Sequence, residues 1–533
     1  MKSAGLTVNE NEVVQLSNED RKCGFGLISS IVINLDHFNY EQQVILKTLL
    51  QRPSLQSSIV SGSGVFRIHF DTTGSNSPKY LPLLSPLENA IKVSEAIDSA
   101  YNFEVNYLGF LPPPKDAGNG GDDLYDIYII YTGNYGVTTP EDVINGQNQT
   151  YTSYIFIDPA FGSGFYTHGI AAMQITVAHE LHHAIQMGNY ILRLPEDRWF
   201  HELTSTAMEE FVFDSVNDYY GYMRNYFNHP ETPLPSTDGY SSAIWNIFLR
   251  DKFGYDIIKR QWEMMPSMRA MFAINNSLIE YGSSFIEEFN KFAVWMYYTN
   301  YRSVPGKYFE EAVHYPAVKM TMILDYYSGL PSVNGNLRAA SHNYLKYVIP
   351  VNGGSSSSDS LVSIITNSDV QHAVTSPLTD YPFEYELFDN STSGERFLTN
   401  NYSSSFNVSN PAFWSVSEIL NGQLVREDES SYLPPDVTTL AFPNPFIYGR
   451  NIPGYLNFAF NGKIGEKVDF NVYSPAMKLI YSSALPVGIL ANNSPGVRWD
   501  VRGNDGEKLQ SGAYIYVIKK GDDVIKGKFV IFN

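Results

Sequence analysis

Two patterns of hydrophobic and polar residues divide the chain at about residue 337. Before that point, apolar residues with helical spacing are mixed with a few strand-like runs, and 171–322 is mainly helical with a break at 229–235. After it, short alternating runs are separated by Asn, Ser and Gly, which is typical of strands joined by turns. The pattern therefore predicts a multidomain protein with an α+β region followed by all-β modules.

Local signals predict individual elements in the first half of the chain. A helix is expected from Pro86 onward, because Ser85 and Glu88 match a capping box and proline suits the first helical position. The other predicted elements are helices at 40–50 and 171–190 and strands at 65–70, 125–131 and 154–157. In the second half, the Ser run at 355–358 is interpreted as a hairpin loop and 433–436 as a break before a last β-rich module.

Length and composition limit the class of protein. The 533 residues allow roughly three or four domains, and a hydrophobic content of 43% excludes a disordered chain. Lys and Arg number 36 against 56 Asp and Glu, so we expect no nucleic-acid partner, because a phosphate backbone is bound through clustered cations. Only 17% of residues are charged and 38 are Tyr, a composition that favours a secreted protein.

Several common features are missing from the sequence. Cys23 is the sole cysteine, which excludes an intrachain disulfide. No apolar run is long enough to cross a bilayer, so no transmembrane segment is expected. The first residues also lack the basic and apolar regions of a signal peptide, and we expect that such a leader is absent from this sequence.

A histidine motif lies inside the helix predicted at 171–190. His179, Glu180 and His183 form the pattern H-E-x-x-H. Residues four apart on a helix are offset by about 40°, so both imidazoles can bind one Zn²⁺ ion. Glu180 lies beside the first ligand and can act as the general base toward a zinc-bound water. His182 faces about 100° away and is expected to have a neighbouring or surface role.

The sequence after this motif suggests a third ligand. Eighteen residues separate His183 from Glu202, and Trp199, Glu202 and Glu209 follow the spacing W-x-x-E and a second Glu seven residues later. This arrangement resembles the gluzincin superfamily, in particular its aminopeptidase-N-like branch. The resemblance implies a zincin domain that hydrolyses peptide bonds with zinc held by His179, His183 and Glu202. The G-A-M-E-N exopeptidase signature of that branch is absent.

Gluzincins commonly stabilise the oxyanion with a Tyr or His, and Tyr240 resembles the position of that residue. His229, Tyr219 and Tyr220 are the alternatives, and His201, beside Glu202, is expected to have a neighbouring or surface role. The segments 66–74, 125–129 and 166–169 are similar to a group of secreted bacterial metalloproteases.

The strand predicted at 154–157 has two interpretations. It is either the edge strand of a zincin upper lobe, which would bind an extended peptide by strand addition, or a core strand.

Cys23 lies between Lys22 and Gly24, a sequence that resembles the cysteine switch of matrix metalloproteinase and ADAM propeptides. In those propeptides a thiolate occupies the open position on zinc. The resemblance implies that the first 60 residues form an inhibitory pro-segment. The alternative is that Cys23 is a small buried hydrophobic residue.

The C-terminal segments 442–446, 498–506 and 511–516 resemble a FlgD-like Ig module and the C-terminal sorting domains of type IX secretion substrates. Secretion or attachment to the cell surface is what the resemblance implies. The tripeptide Asn504-Asp505-Gly506 is a hairpin turn signal between alternating runs, and it predicts a small β-sandwich independently.

Together these inferences predict four segments: a pro-segment at 1–60, a zincin metallopeptidase domain at 61–330, a β-sandwich at 337–430 and an Ig-like sorting module at 436–533. We expect a monomeric, secreted or surface-attached zinc endopeptidase that acts on proteins or peptides. The alternatives are a zinc aminopeptidase and a non-catalytic surface adhesin on a degenerate zincin scaffold. Calcium is a second candidate cofactor, with Asp122, Asp123 and Asp126 as its candidate ligands.

Overall fold

The structure is a computed structural model, and it describes residues 22–144, 149–326, 332–348, 360–390, 402–420, 422–424, 441–442, 444, 446–448, 455–460, 462–463, 465–475, 477–490, 495–521 and 523–532. The predicted Ser-rich loop at 355–358, the break at 433–436 and the first 21 residues of the predicted pro-segment lie outside these ranges. The chain divides into two compact units. The first contains the described residues up to Arg302 together with Glu311–Ser417, and the second contains Ser303–Glu310 and the described residues from Glu418 onward.

A five-stranded sheet, counted over the described residues, lies in the first unit. Its strands are β1 (Ser57–Val60), β2 (Phe66–Phe70), β3 (Tyr125–Ile129), β4 (Gly136–Val143) and β5 (Tyr151–Ile157). Their order is β1-β2-β3-β5-β4, with β2, β3 and β5 parallel to one another and β1 and β4 antiparallel to their neighbours. The three strands predicted in this region are therefore present.

The position of β5 decides between the two interpretations of 154–157. Every residue of β5 is buried, and the strand lies between β3 and β4. The edge-strand interpretation is wrong and the core-strand alternative is correct, because Tyr151–Ile157 pairs on both sides. The edge is β4, which contains Pro140, a residue tolerated at a sheet edge because its missing N–H breaks no ladder there.

Helices make up most of the rest of the first unit. Their bounds are α1 (Phe25–Ile33), α2 (Tyr40–Leu49), α3 (Pro86–Tyr101), α4 (Gly169–Asn189), α5 (Arg198–Val212), α6 (Tyr220–Asn228), α7 (Ile244–Phe253), α8 (Asp256–Met264), α9 (Ala270–Glu280) and α10 (Phe285–Tyr297). The predicted capping box begins α3, where the Glu88 backbone N–H donates to Ser85 Oγ and the Ser85 N–H donates to the Glu88 carboxylate. Helix α4 packs against α3, α5, β4 and β5, and its residues from Ile175 to Gly188 are all buried.

The later part of the first unit is rich in sheet. It contains β6 (Met322–Asp325), β7 (Val333–Arg338), β8 (Ser341–Val348), β9 (Ser360–Asn367), α11 (Val370–Thr375), β10 (Asp380–Asp389), β11 (Tyr402–Val408) and the start of β12 (Trp414–Leu420). Strand β8 pairs antiparallel with β9 from Ser341↔Asn367 to Val348↔Ser360, as expected of strands that flank a hairpin loop. Strand β10 pairs antiparallel with β7 and with β11.

The second unit is built mainly from strands. They are β13 (Gln423–Leu424), β14 (Ala441–Phe442), β15 (Phe446–Ile447), β16 (Leu456–Ala459), β17 (Lys467–Tyr473), β18 (Leu479–Pro486), β19 (Gly488–Ile489), β20 (Pro495–Trp499), β21 (Gly512–Lys520) and β22 (Asp523–Phe532). One sheet has the order β14-β16-β20-β19 and another β15-β22-β21-β17-β18. Phe458 of the first sheet contacts Phe470 of the second at 4.7 Å between ring centroids, so the two sheets share one apolar core.

The predicted hairpin at 504–506 differs from what the structure contains. Arg502 and Lys508 form an isolated antiparallel bridge around this turn, and Gly506 has a φ of 78°. The flanking strands β20 and β21 do not pair with each other, because β20 belongs to one sheet and β21 to the other. The turn therefore connects two sheets. In the part of the chain that the structure describes, no helix has both the length and the apolar character to cross a membrane.

Candidate metal centre

Four side chains that can bind a metal converge in the first unit. Ligand atoms of Cys23, His179, His183 and Glu202 all lie within 4.8 Å of one another, and all four residues are buried. No other group of three or more His, Cys, Asp and Glu residues converges in this way among the described residues. The three predicted ligands are thus brought together, and the sole cysteine is with them.

Helices α4 and α5 bring the three predicted ligands together. His179 and His183 lie one turn apart on α4, with ring centroids 4.7 Å apart. Glu202 lies on α5, and its Oε2 is 3.3 Å from His179 Nε2 and 3.2 Å from His183 Nε2. The eighteen-residue spacing works because it allows α4 to end, the chain to reverse and α5 to pack back against α4.

Two of the separations between ligand atoms match those expected around a zinc ion. Zn–N and Zn–O bonds of about 2.0–2.1 Å in a tetrahedral site place neighbouring ligand atoms about 3.3–3.4 Å apart. The carboxylate oxygen lies 3.2 Å and 3.3 Å from the two imidazole nitrogens. In addition, His179 Nε2 and Glu202 Oε1 are buried with no hydrogen-bond partner among the described residues. Two imidazoles, a carboxylate and a thiol form a donor set that zinc prefers.

Hydrogen bonds fix the orientation of both imidazoles. His179 Nδ1 lies 2.7 Å from Glu209 Oε1, and His183 Nδ1 lies 2.9 Å from Gln186 Oε1. Because these oxygens accept, each Nδ1 carries a proton, which leaves Nε2 as the atom that faces the centre and can bind a metal in place of a proton. Ser205 Oγ is a further neighbour of His183 Nδ1, at 3.1 Å.

Charges around the centre stabilise a positive charge within it. Burial opposes the protonation of His179, but the carboxylates of Glu202 and Glu209 outweigh it and raise the pKa of His179 to about 9. For Glu202, burial by itself would raise the pKa, but the neighbouring His183 and His179 hold it well below its usual range. The surrounding groups therefore favour a cation at this point.

Glu180 lies next to the centre without joining the ligands. The Thr138 hydroxyl on β4 donates to Glu180 Oε2 at 2.7 Å, and the Cys23 thiol donates to Glu180 Oε1 at 3.2 Å. Gly136 makes room for this side chain, because a Cβ there would lie 2.7 Å from Glu180 Cγ. The general-base candidate is therefore held between the sheet edge and the ligand cluster.

Tyr240 is the proposed oxyanion donor that lies beside the ligands. Its ring is stacked at 6.1 Å from the His179 ring, and its buried hydroxyl has no hydrogen-bond partner among the described residues. Burial, and then the charges of Glu202 and Cys23, raise the pKa of Tyr240 well above its usual value, so the phenol keeps its proton. Gly239, with a φ of 92°, brings the turn close, since a Cβ there would lie 2.4 Å from the Trp199 carbonyl oxygen.

The alternatives to Tyr240 have their ring and hydrogen-bond contacts with other residues than the ligands. The Tyr219 hydroxyl donates to Glu311 at 2.6 Å and lies 2.7 Å from the Tyr315 hydroxyl. The Tyr220 ring stacks on His314 at 6.2 Å, and its hydroxyl is buried without a hydrogen-bond partner among the described residues, as that of Tyr240 is. His229 is exposed beside Glu231. What favours Tyr240 is that its ring stacks on the ring of His179, whereas the ring contacts of Tyr220 in the described structure are with residues other than the ligands.

His182 and His201 are both buried neighbours of the centre. His182 Nδ1 lies 2.8 Å from Glu104 Oε2. Burial holds the pKa of His182 well below its usual value and raises that of Glu104 well above it, so both groups are neutral. Burial also lowers the pKa of His201 to about 3, and its Nδ1 lies 3.0 Å from Gln186 Oε1.

The calcium candidates are all paired with cationic side chains. Asp122 accepts from Arg67 Nε at 3.0 Å, and Asp123 lies 3.3 Å from Lys115. Asp126 is paired with Arg52 and with His69.

Sequence reasoning missed the residues that orient the site. Thr138, Gln186 and Ser205 are ordinary polar residues in sequence, and their roles depend on which strand and which helices meet at the centre. Gln186 carried a usable signal, because it lies three residues after His183 on the same helix and such pairs are neighbours.

Comparisons with known proteins identify no family. No family model matches the chain, and no curated protein matches it. Among solved structures it is similar to PorZ, an essential bacterial surface component of the type-IX secretion system of Porphyromonas gingivalis. That similarity has 10% sequence identity and a TM-score of 0.14, covering 36% of this chain and 37% of PorZ. The match spans about a third of the length of PorZ.

Proposed function

We propose that this protein is a zinc-dependent endopeptidase. The observation that supports the proposal most is the convergence of His179 Nε2, His183 Nε2 and one oxygen of Glu202, with Glu180 beside them. The gluzincin resemblance of the sequence is consistent with this arrangement. When bound, zinc would supply a Lewis acid that polarises the scissile carbonyl and lowers the pKa of a water molecule.

The protein's own groups have distinct tasks in this proposal. Glu180 Oε2 accepts a hydrogen bond from Thr138, so Oε1 would take the proton of the attacking water and later deliver it to the leaving amine. The Tyr240 hydroxyl, which keeps its proton, would donate to the oxyanion that forms on the carbonyl. Glu209 and Gln186 would hold the two imidazoles in the orientation that the metal requires.

Strand β4 supports action on internal peptide bonds. It is the edge of the sheet, and Gly136 and Thr138 on it lie beside Glu180. An extended peptide can add to such an edge through backbone hydrogen bonds, and its chain can continue in both directions. Protein or peptide segments are therefore the proposed substrates. We also propose that the protein is secreted or attached to the cell surface, because its C-terminal segments resemble the sorting domains of type IX secretion substrates.

The test separates metal binding from catalysis. Glu180→Gln should retain the zinc content of the wild type and lower the hydrolysis of labelled casein by about 10²–10⁴-fold, because it removes the proton acceptor and leaves the ligands in place. Zinc is measured by atomic absorption, and hydrolysis by release of labelled peptides over long incubations at high protein concentration.

Two controls accompany this experiment. Glu95→Gln changes an exposed glutamate and should leave both zinc content and hydrolysis unchanged. Equal hydrolysis by Glu180→Gln and the wild type would reject Glu180 as the base. Cleavage of peptides with free amino termini, but not of peptides with blocked ones, would indicate an aminopeptidase. Absence of zinc and of all hydrolysis would favour the non-catalytic adhesin.

A further inference from the structure

The first described residues of the chain lie along the edge strand β4. The Tyr135 N–H donates to the Lys22 carbonyl at 3.2 Å, and the Gly24 N–H donates to the Gly136 carbonyl at 3.1 Å. Cys23 and Gly136 thereby form a parallel bridge. These contacts occupy the edge to which an extended substrate would add, at the residues closest to Glu180.

The Cys23 sulfur completes the set of ligand atoms. It lies within 4.8 Å of the ligand atoms of His179, His183 and Glu202, and only 5% of the residue is exposed. A second observation points to a ligand at the same place: His179 Nε2 and Glu202 Oε1 are buried without a hydrogen-bond partner among the described residues. Two nitrogens, an oxygen and a sulfur are the four protein ligands of a closed zinc site, whereas a catalytic zinc site has three protein ligands and an open position.

Phe25 fills the apolar space beside the centre. Its ring is stacked on the His183 ring, with centroids 3.9 Å apart and planes 10° apart, and the residue is fully buried. It belongs to one apolar cluster with Met187, Leu192 and Tyr240. A side chain of a bound peptide that lay in this position would have to be bulky and apolar.

Lys22 holds the same segment by charge. Its ammonium donates to Glu209 Oε2 at 2.8 Å and is also paired with Asp218, and it lies over the rings of Tyr135 and Tyr222. Lys22 is buried, and so is Glu209, the carboxylate that orients His179. The segment is therefore joined to the site by a strand pairing, an ion pair and an aromatic contact.

The connection that follows this segment is exposed. None of residues 33–48, which include most of α2, is buried. The chain is fixed to the sheet again at Arg52, whose guanidinium contacts Asp116 and Glu141 at 2.7 Å each. A protease could reach the exposed connection, and cleavage there would detach Lys22 and Phe25 from the anchored part of the chain.

We propose that Lys22–Ile33 is an internal inhibitor of the metal site, with Cys23 as the fourth zinc ligand and Phe25 in the pocket for a bulky apolar substrate side chain. This inference rests on the proposed function. Binding of the sulfur would break its S–H bond: the sulfur would donate the resulting lone pair to the metal, and the proton would pass to solvent by way of Glu180 Oε1, 3.2 Å away. On release a water molecule would replace the sulfur, and no oxidation state would change.

Spectroscopy tests the ligand without any assay of hydrolysis. Cobalt(II) is added to the metal-free full chain, and a thiolate-to-cobalt charge-transfer band is expected in the near ultraviolet. Cys23→Ser should bind cobalt without this band. In the wild type, zinc should also slow alkylation of the single thiol by iodoacetamide at least tenfold, a measurement that needs no variant. Absence of the band and of zinc protection in the wild type would overturn the assignment.

Hydrolysis of casein then tests inhibition. Cys23→Ser in the full chain should cleave at least tenfold faster than the wild type, and Cys23→Ser/Glu180→Gln should lose that gain. Leu83→Ala is the control outside the segment, because Leu83 is fully exposed and its loss should leave the rate unchanged. A cobalt band with no rate increase in Cys23→Ser would overturn the inhibitory role. A band with no hydrolysis by any variant would reject the peptidase while the ligand assignment stands, so the two failures are distinguishable.

Discussion

Two buried polar clusters in the first unit use similar side chains in opposite ways. In the cluster around Arg52, the guanidinium contacts Asp116, Asp126 and Glu141, and Asp126 also accepts from His69 at 2.6 Å. Each of these carboxylates therefore faces a cationic or hydrogen-bond-donating side chain of the protein. The cluster is an internally compensated ion network that joins the chain after α2 to the sheet.

The candidate metal centre has the opposite balance. His179 Nε2, Glu202 Oε1 and the Tyr240 hydroxyl are buried without hydrogen-bond partners among the described residues. Burying such atoms costs free energy unless something satisfies them. The comparison teaches that the number of acidic residues does not identify a metal site. Converging lone pairs that the protein itself leaves unsatisfied do identify a candidate.

The largest effect on stability is expected from breaking the compensated network. Arg52→Met leaves three carboxylates without their shared cation and should lower the free energy of unfolding by about 3–5 kcal/mol. Urea unfolding of the metal-free wild type and variant measures this loss in the free energy of unfolding. Arg260→Met is the control, because Arg260 pairs with Glu263 and Glu280 at the surface and should cost about 0–1 kcal/mol. Equal losses in the two variants would contradict the distinction.

A smaller effect is expected from loosening an imidazole at the metal centre. Gln186→Met removes the oxygen that accepts from His183 Nδ1 and should weaken zinc binding by about 10–100-fold. Competition with a chromophoric chelator measures the affinity. Gln261→Met is a matched control, since the side-chain amide of Gln261 is equally buried and makes no hydrogen bond with any described residue. Its zinc affinity should equal that of the wild type.

Glu210 is a third kind of buried carboxyl, and its effect appears in the pH dependence of stability. Burial, and then the charge of Glu311, raise its pKa to about 9, so the folded protein keeps it protonated. The protonated Glu210 contributes fully to the free energy of unfolding below the pKa of the unfolded state, about 4.5. This contribution is lost as the pH rises from there toward 9. Glu210→Gln should remove this dependence.

The measurement is the difference in unfolding free energy between Glu210→Gln and the wild type. From pH 6 to 7 it should grow in favour of the variant by up to about 1.4 kcal/mol, the value for one proton per pH unit. A difference that is independent of pH between 5 and 9 would show that Glu210 ionises in the folded protein and resembles the carboxylates around Arg52.

Elements that depend on neighbouring residues were predictable from the sequence. The start of α3 follows from a capping box and a proline within four residues, and α4 was placed by its apolar spacing to within two residues at each end. Glu180, His179 and His183 share that helix, so their relation to one another needed no tertiary information. The structure brings Glu202 to the same point, as the spacing after His183 had suggested.

Features that depend on distant residues were not predictable in the same way. Strand β4 has the sequence Gly-Val-Thr-Thr-Pro-Glu-Asp-Val, which carries a weak strand pattern, and it forms because β5 is there to pair with it. Its existence is what makes 154–157 a core strand. The contact of Thr138 with Glu180, across 42 residues, follows from that pairing and has no sequence signature.

The contact between Cys23 and Glu180 joins residues that are 157 positions apart in the chain. This separation bears on the order in which the parts of the site form during folding. Residues 22–26 leave the ribosome early, but the strand they pair with and the helices they cover are completed only after residue 212 has been made. Contacts between residues so far apart form late, since the loop between them must close first. We therefore expect His179, His183 and Glu202 to come together before the amino-terminal residues cover them, so that a metal could enter the open site during folding.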